Sequence, residues 1–389
     1  MVTSKSTSCR PRVMVATATV GAGHNSVARA IVAGLAQRCD GIETNYVDVL
    51  DFTPWAFRTC YAGGFALGMS RYPRIYGAGF RMTNSPQGAN RGRSERLRLW
   101  FEYWACKKFA AYVRRLSPDL VICTHFLPAS ILSCLDKHGA PDVRRFVVIT
   151  DYVPHRFWYA EGVDHWFLPA EGSKDALVKW QVPLDRITVS GMPVHPKWSE
   201  PVNRAKAVAD WALNGVGKVV LLSGGTEFTC GPILTIARRI VASCADAYVV
   251  VLAGRNKKLL AALATLPEAG QRLFGVGFTD RLHELVELSS LMVTKAGGAT
   301  VTECLAKAKP MVLLNPVPGQ EAGNAGFLAS AGAAVIAGDI NDTVTSVRRL
   351  LDDQAKLEAM STAADKLYLS GTGKVAAAIC HALRVNPSE

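Results

Sequence analysis

Residues 294–305 combine a glycine pair with a carboxylate at a spacing that suits a nucleotide-sugar. Gly297 and Gly298 follow a short apolar run and precede a helix-like run, an order typical of a strand, a glycine turn and the start of a helix. The free N–H groups of such a helix start can receive a diphosphate. Glu303 falls in the first turns of that helix, where a carboxylate can accept hydrogen bonds from two vicinal ribose hydroxyls. The pattern predicts a site for a nucleoside diphosphate.

A second polar group follows the next predicted strand. That strand ends near Asn315, and Gln320, Glu321 and Asn324 come shortly after it. In an open α/β sheet, ligands bind beyond the carboxyl ends of the parallel strands, which is where both groups fall. We therefore expect the two groups to form one nucleotide-sugar site.

A third glycine turn follows the first predicted strand and leads directly into a helix near His24. The positive end of a helix lowers the affinity of an imidazole for a proton, which favours the neutral form that a general base needs. His24 is therefore a candidate catalytic base, and the alternative is that it caps the helix. Because position 26 is Ser, the dinucleotide fingerprint that Gly21 and Gly23 begin is incomplete.

Further candidates follow two other strands of the same half and face the same edge. Asp151 comes after a buried strand, and it would orient His24 or act as the base itself. Trp158 would form one wall of a pocket for an acyl chain or a sugar. His125 follows a neighbouring strand and is a third candidate at this edge. The alternative for Trp158 is that it packs in a polar loop without binding a ligand. The alternative for His125 is that its ring only forms hydrogen bonds within its own loop.

The elements that must position these groups form two successive α/β halves. Strands are predicted at 13–18, 43–49, 120–123, 145–150, 187–189, 218–222, 249–252, 275–278, 291–293, 311–314 and 334–336. Helices are predicted at 24–38, 93–116 and 232–242. Alternation of this kind predicts parallel, doubly wound sheets. The fold class is therefore predicted as α/β, with two Rossmann-like domains at 1–195 and 196–372 that face a cleft, followed by a helix and tail at 373–389.

Composition excludes several classes. The 389 residues suit two domains, and the longest apolar runs are strand-length, far short of a membrane span. No signal peptide is visible at the start of the chain. The ten cysteines form no CxxC pair, so we expect buried, reduced thiols in a cytosolic protein. The sequence contains no Gly-x-Ser-x-Gly elbow, no phosphate loop with Gly-Lys-Ser/Thr and no HExxH helix, so no metal or other cofactor is expected.

The net charge of +12 is concentrated in one segment. Between Arg58 and Arg115 there are 12 Lys and Arg but only two acidic residues, and aromatic residues are interleaved with them. Basic residues mixed with interfacial aromatics are typical of a surface that binds anionic lipids. The alternative is a solvated basic face over an aromatic core. Charge alone would also allow the protein to bind nucleic acid. No recognition motif accompanies the basic segment, so nucleic acid is not expected as a partner.

The chain resembles the family 28 glycosyltransferases, most closely the diacylglycerol sugar transferases: the monogalactosyldiacylglycerol synthases and the processive diacylglycerol beta-glucosyltransferases. The resemblance covers roughly residues 12–380. It is carried by Gly21-Ala22-Gly23-His24, Thr150-Asp151 with His155 and Trp158, Gly191-Met192-Pro193, Ser223-Gly224-Gly225, Gly277-Phe278-Thr279, residues 294–300 with Glu303, and Pro318-Gly319-Gln320-Glu321 with Asn324. The chain departs from the family where Gly-Gly-Gly-His reads Gly-Ala-Gly-His, and where Ser223-Gly224-Gly225 continues with less glycine.

The resemblance implies a GT-B fold, in which the first domain binds the acceptor and the second binds a UDP-sugar. It implies His24 as the catalytic base, with Asp151 as the other catalytic candidate. Donor-binding residues are expected at Gly23, Ser223, Gly224, Gly225, Phe278 (framing uracil), Thr279, Lys295, Gly297, Gly298 and Thr300 (diphosphate), Glu303 (ribose), Gln320 and Glu321 (sugar hydroxyls) and Asn324. Acceptor or membrane contacts are expected at Trp158, His155, His125, Trp100, Arg96 and Arg98.

The predicted function is transfer of a hexose from a UDP-sugar to a hydroxyl of diacylglycerol, with inversion, without a metal, and at the cytoplasmic face of a membrane to which the protein binds peripherally. Transfer to another lipid, polyprenyl-linked or sphingolipid, is an alternative of the same class. Two further alternatives are a UDP-sugar epimerase on the same fold and a non-catalytic protein that binds membranes through its basic segment.

Overall fold

The structure is a computed structural model, and it describes residues 10–84, 92–136, 143–213, 217–224 and 233–385. Of the predicted site residues, Gly225 lies outside these ranges. The described residues form 12 β-strands and 16 α-helices, which alternate along most of the chain. The predicted α/β class is confirmed.

The first sheet has six parallel strands in the order β2-β1-β3-β4-β5-β6. These strands are β1 (Arg12–Thr17), β2 (Glu43–Asp48), β3 (Leu120–Cys123), β4 (Arg144–Val148), β5 (His165–Leu168) and β6 (Ile187–Val189). The helices of this half are α1 (Ala22–Arg38), α2 (Trp55–Arg71), α3 (Pro73–Thr83), α4 (Arg93–Ala105), α5 (Lys107–Leu116), α6 (Phe126–Asp136) and α7 (Lys174–Lys179). The sequence prediction missed β5, because four residues are too few to show a periodicity.

The second sheet also has six parallel strands, in the order β12-β11-β10-β7-β8-β9. These strands are β7 (Lys218–Ser223), β8 (Ala247–Gly254), β9 (Leu273–Gly277), β10 (Leu291–Thr294), β11 (Met311–Leu314) and β12 (Ala334–Ala337). Its helices are α8 (Arg204–Asp210), α9 (Ile233–Ser243), α10 (Lys257–Ala264), α11 (Leu282–Leu288), α12 (Gly298–Leu305), α13 (Gln320–Ser330), α14 (Ile340–Asp352), α15 (Gln354–Leu367) and α16 (Gly371–Leu383). Strands β10 and β11 are buried along their whole length, as strands of a parallel sheet covered on both faces must be.

The basic aromatic segment is more regular than its sequence predicts. Residues 55–83 form α2 and α3, and the single helix predicted at 93–116 is divided at Cys106 into α4 and α5. Along α2 the apolar residues follow no helical period, so no helical stripe shows there in the sequence.

Helix α16 returns to the first half of the chain and packs on α1. The Thr372 hydroxyl donates a hydrogen bond of 2.5 Å to the Val194 carbonyl, and a disulfide joins Cys39 to Cys380. The expectation that the cysteines are reduced is therefore wrong for this pair, because a separation of 341 residues in sequence hides their proximity. The six other cysteines among the described residues form no disulfide.

The two sheets contact each other through the loop after β4. The Tyr152 ring stacks on Phe327 of α13 at 4.9 Å between centroids, and its hydroxyl lies 2.9 Å from the Thr302 hydroxyl of α12. The loop after β4 therefore reaches the helices that follow β10 and β11, and it brings the carboxyl edges of both sheets together.

Candidate active site

His24 lies in the first turn of α1, directly after the turn that follows β1. Its Nδ1 is 3.0 Å from the Thr124 carbonyl oxygen and 2.9 Å from the Thr150 hydroxyl. A carbonyl only accepts, so Nδ1 carries the proton and Nε2 keeps its lone pair. Among the described residues none forms a hydrogen bond with Nε2. The alternative in which His24 caps its helix is wrong, because no side chain caps α1.

The surroundings of His24 keep it neutral. Burial lowers the pKa of His24, and the charge of Asp151 and the hydrogen bond to Thr124 oppose this only in part. A neutral imidazole with an unprotonated Nε2 is the form that removes a proton from a hydroxyl.

Asp151 is buried beside His24 but is held by a different partner. Its Oδ2 accepts a hydrogen bond of 2.9 Å from the indole Nε1 of Trp158. Burial raises the pKa of Asp151, while His24 and Trp158 act in the opposite direction. Asp151 therefore acts on His24 through its charge. Trp158 is only 1% exposed, so it packs in the interior beside the catalytic candidates rather than on the protein surface.

The two remaining histidines of the site are bonded within the protein, His125 to its own loop and His155 to its own loop and to α3. His125 accepts a hydrogen bond of 3.0 Å at Nδ1 from the Leu127 amide, and its ring meets that of His24 edge-on at 4.6 Å. His155 accepts at Nδ1 from Phe157 and donates from Nε2 to the Phe80 carbonyl at 3.0 Å. Burial lowers the pKa of His125 well below its usual value and that of His155 to about 4, so both are neutral near pH 7.

The start of α12 lies against this cluster. A Cβ added to Gly298 would collide with the Thr150 carbonyl oxygen, whereas a Cβ on Gly297 would meet open space. Gly23 lies close to Ala299, so the first turns of α1 and α12 are neighbours. The glycine pair thus has two separate tasks: Gly298 allows the two halves to touch, and Gly297 leaves the helix start open.

Glu303 is half-buried on α12, and none of the described residues forms a hydrogen bond or an ion pair with its carboxylate. Burial raises the pKa of Glu303 to about 7, and the charge of Lys197 lowers it in part. A partly buried carboxylate of this kind is expected to gain hydrogen-bond donors from a ligand. The contact of Glu303 with ribose hydroxyls stays a prediction.

The predicted donor residues that follow β10 and β11 lie at the same edge of the sheet, and two of them form an ion pair. Lys295 Nζ lies 3.6 Å from Glu321 Oε1, and the other Glu321 oxygen accepts from the Val317 amide at 3.2 Å. Gln320 is half-buried at the first position of α13, and Thr300 is half-buried on α12. These four predicted donor residues therefore lie at one edge of the second sheet.

Asn324 has a different task from the one predicted for it. Its Oδ1 accepts from the Tyr152 amide at 2.9 Å, and its Nδ2 donates to the Ala296 carbonyl at 3.0 Å. The side chain is 1% exposed. Both polar atoms are used within the protein, so Asn324 joins the two halves rather than lying free for a donor sugar.

The remaining predicted donor residues lie at the ends of β7 and β9. Phe278 is 68% exposed, and the Arg255 guanidinium lies over its ring at 4.8 Å. Thr279 accepts a hydrogen bond of 3.0 Å from the Arg281 amide. Ser223 is half-buried and Gly224 is buried after it. The exposed ring of Phe278 is available to stack on a base, and no local sequence pattern indicated Arg255 as its partner.

Helix α4 carries the predicted membrane residues on two faces. Trp100 is 63% exposed and Arg96 is also exposed. Arg98 instead bonds both carboxylate oxygens of Glu102 at 2.8 Å and lies over the Phe157 ring at 4.4 Å. Its assignment to the membrane surface is corrected accordingly, since its charge is neutralised inside the protein.

The described residues contain no group of three or more His, Cys, Asp or Glu side chains placed to hold a metal ion. No helix within the same ranges has the length and apolar character needed to cross a bilayer.

Comparison with known proteins confirms the predicted resemblance. Residues 24–194 match the model of the monogalactosyldiacylglycerol (MGDG) synthase family, and residues 223–374 match that of the glycosyltransferase family 28 C-terminal domain. A processive diacylglycerol beta-glucosyltransferase of Bacillus cytotoxicus is 26% identical over 92% of this chain and 90% of its own length.

Solved structures confirm the GT-B fold. The chain superposes on Staphylococcus aureus MnaA, solved with UDP, with a TM-score of 0.63 and 15% identity over 96% of this chain and 97% of the other. Acinetobacter baumannii MurG gives a TM-score of 0.59 and 16% identity over 95% and 99% of the two chains. At these identities the likeness concerns the fold alone.

Proposed function

Taking the confirmed resemblance to family 28 glycosyltransferases as the premise, we propose that the chain moves a hexose from a UDP-sugar to a hydroxyl of diacylglycerol at a membrane surface. The transfer would proceed with inversion and without a metal ion. One observation carries the proposal: His24, with an unprotonated Nε2, lies in the first turn of α1, which neighbours the first turn of α12, where the donor diphosphate is expected. A single displacement requires a base on one side of the sugar carbon and a diphosphate site on the other, and two neighbouring helix starts can supply both.

In the proposed step, the acceptor hydroxyl gives its proton to His24 Nε2 while its oxygen forms a bond to C1 of the sugar. The bond between C1 and the diphosphate oxygen breaks on the opposite face, and UDP leaves with the bonding electron pair. The N–H groups at the start of α12 would stabilise the charge that gathers on the leaving diphosphate. Asp151 supports the same step, because its carboxylate favours the imidazolium that His24 becomes.

The carboxyl edge of the second sheet supports a UDP-sugar as the donor. The half-buried carboxylate of Glu303 suits ribose hydroxyls, and the exposed Phe278 ring with Arg255 suits a uracil base. Gln320 and Glu321 follow β11 at the same edge and suit the hydroxyls of a hexose. Each group lies beyond a strand end, where open α/β sheets bind their ligands.

The segment from α2 to α4 supports a lipid acceptor. Of the large apolar side chains exposed among the described residues, nine lie between positions 55 and 104. They are Trp55, Leu67, Tyr72, Ile75, Met82, Leu97, Trp100, Phe101 and Trp104. Exposed arginines stand among them at positions 58, 71, 74, 81 and 96. Aromatic and basic side chains in this mixture favour a bilayer surface with anionic lipids, at about 1 kcal/mol for each nearby cation.

The proposal is tested with purified protein, anionic vesicles that contain diacylglycerol, and a panel of UDP-sugars. We expect a glycosylated diacylglycerol with at least one donor and a loss of at least about 100-fold in turnover for His24→Ala. The matched control is His381→Ala, which removes an exposed histidine on α16 and should leave turnover unchanged.

Three results would contradict the proposal. Near wild-type turnover in His24→Ala removes His24 from its role. Conversion of a UDP-sugar to its epimer without acceptor identifies an epimerase, and vesicle binding without affinity for UDP identifies a non-catalytic membrane protein. The assay is repeated with a polyprenyl-linked or sphingolipid acceptor in place of diacylglycerol, and the acceptor that becomes glycosylated identifies the lipid class.

A further inference from the structure

Thr150 contacts the catalytic candidate and the donor helix at the same time. It follows β4 by two residues and is 4% exposed. Its hydroxyl oxygen lies 2.9 Å from His24 Nδ1, while its main-chain carbonyl is packed so tightly against Gly298 that no Cβ fits there. One residue of the first sheet therefore touches the first turn of α1 and the first turn of α12.

The Thr150 hydroxyl has a defined role in the hydrogen bonding of His24. Nδ1 faces two oxygens, the Thr124 carbonyl at 3.0 Å and the Thr150 hydroxyl at 2.9 Å. Because the carbonyl only accepts, the Nδ1 proton is shared between them, and the hydroxyl is the second acceptor. The Thr124 carbonyl selects the tautomer, because it cannot donate to an unprotonated Nδ1, and the Thr150 hydroxyl as second acceptor orients the ring and stabilises the imidazolium.

The Thr150 carbonyl has an equally direct role in the placement of α12. Helix α12 begins at Gly298, and the atoms that a side chain would meet there belong to Thr150 and Met192. A shift of Thr150 would therefore move the helix start relative to the imidazole. Proximity of this kind governs transfer rates, because a small misplacement of reacting groups is costly.

We propose that Thr150 is a positioning residue of the transfer reaction, whose hydroxyl holds His24 with Nε2 as the base and whose main-chain carbonyl sets the distance from that base to the start of α12. The inference rests on the proposed function, since it assumes that His24 accepts the hydroxyl proton and that α12 receives the diphosphate. Thr150 itself contacts neither substrate.

The test compares Thr150→Val with Thr150→Ser. Valine keeps the shape of threonine and the main-chain contact to Gly298 but removes the hydroxyl, whereas serine keeps the hydroxyl. We expect Thr150→Val to lower kcat by about 10-fold to 100-fold, the range for a hydrogen bond to a group that becomes charged. KM for the UDP-sugar should stay within about twofold, because the carbonyl contact remains. Thr150→Ser should restore most of kcat.

Two readouts separate positioning from mere packing. Loss of one acceptor on Nδ1 destabilises the imidazolium, so the acidic limb of the kcat profile should move to lower pH in Thr150→Val and return in Thr150→Ser. Nitrogen NMR of histidine-labelled protein over a range of pH, with His24→Ala for assignment, should show neutral His24 protonated at Nδ1 in both proteins and a lower pKa of its imidazolium in Thr150→Val than in the wild type or Thr150→Ser.

The NMR readout does not depend on lipid glycosylation. If the wild type glycosylates no lipid, the proposed function fails while the pKa of His24 measured by NMR still decides the role of the Thr150 hydroxyl. An unchanged kcat, an unchanged acidic limb or an unchanged NMR pKa of His24 in Thr150→Val overturns the inference.

Discussion

The affinity of the protein for UDP should depend on pH through Glu303. Burial raises the pKa of Glu303 in the ligand-free protein to about 7. Ribose hydroxyls donate hydrogen bonds, so they bind the ionised carboxylate and favour the loss of its proton. Affinity should therefore fall as the pH drops below 7. With a pKa of about 7, the ionised fraction changes from roughly ten elevenths at pH 8 to about one eleventh at pH 6, a loss of about 10-fold in affinity.

The assay is isothermal titration of UDP at pH 6, 7 and 8, each in two buffers of different ionisation enthalpy. The wild type should release close to one proton per UDP bound at pH 6 and almost none at pH 8. Glu303→Gln is the matched control, because the amide has the same shape and does not titrate. Its affinity should be the same at the three pH values.

Folding stability gives a second measure of the same group. The folded-state pKa of about 7 lies above the usual 4.5, so the folded protein holds this proton more tightly than the unfolded chain. The protonated Glu303 carboxyl contributes fully to the free energy of unfolding below pH 4.5, and this contribution is lost as the pH rises through 7. The free energy of unfolding of the wild type, relative to Glu303→Gln, should therefore fall by about 3 kcal/mol over that interval.

An affinity for UDP that is flat between pH 6 and 8 would refute the reasoning. The same conclusion follows if Glu303→Gln shows the pH dependence of the wild type, since another group would then be responsible.

Three further predictions follow from the contacts between the two halves and from the exposed face of α4. Asn324→Ala should lower the free energy of unfolding by about 2–6 kcal/mol in urea denaturation, because it leaves two buried main-chain groups unpaired; a loss below 1 kcal/mol contradicts this. Gly298→Ala should raise KM for the UDP-sugar by at least about 10-fold, because its Cβ displaces the Thr150 carbonyl, and an unchanged KM shows that α12 can shift freely. Replacement of both Trp100 and Trp104 by Ser should weaken binding to anionic vesicles by on the order of 10-fold or more in a sedimentation assay and leave UDP affinity unchanged, whereas undiminished vesicle binding places the membrane contact elsewhere.

The strands and the order of the two halves could be predicted because each buried strand is a short, continuous apolar run bounded by turn residues. Strand β10 and the start of α12 at Gly298 were located in this way. The four-residue strand β5 and the helices α2 and α3 were not located: β5 is too short to show a period, and the apolar residues of α2 show none. The domain boundaries at 195 and 372 stay predictions.

The sequence by itself determined which residue types stand at the carboxyl ends of the strands, because strand ends are marked locally by glycine and polar residues. His24, Asp151 and Glu303 were located on that basis. Only the tertiary structure decided what each of them touches. In the structure Thr150 lies between His24 and α12, and Asn324 forms hydrogen bonds that join the two halves. A disulfide pairs Cys39 with Cys380. These contacts join residues far apart in the chain, and no local pattern of side chains records a distance across two sheets.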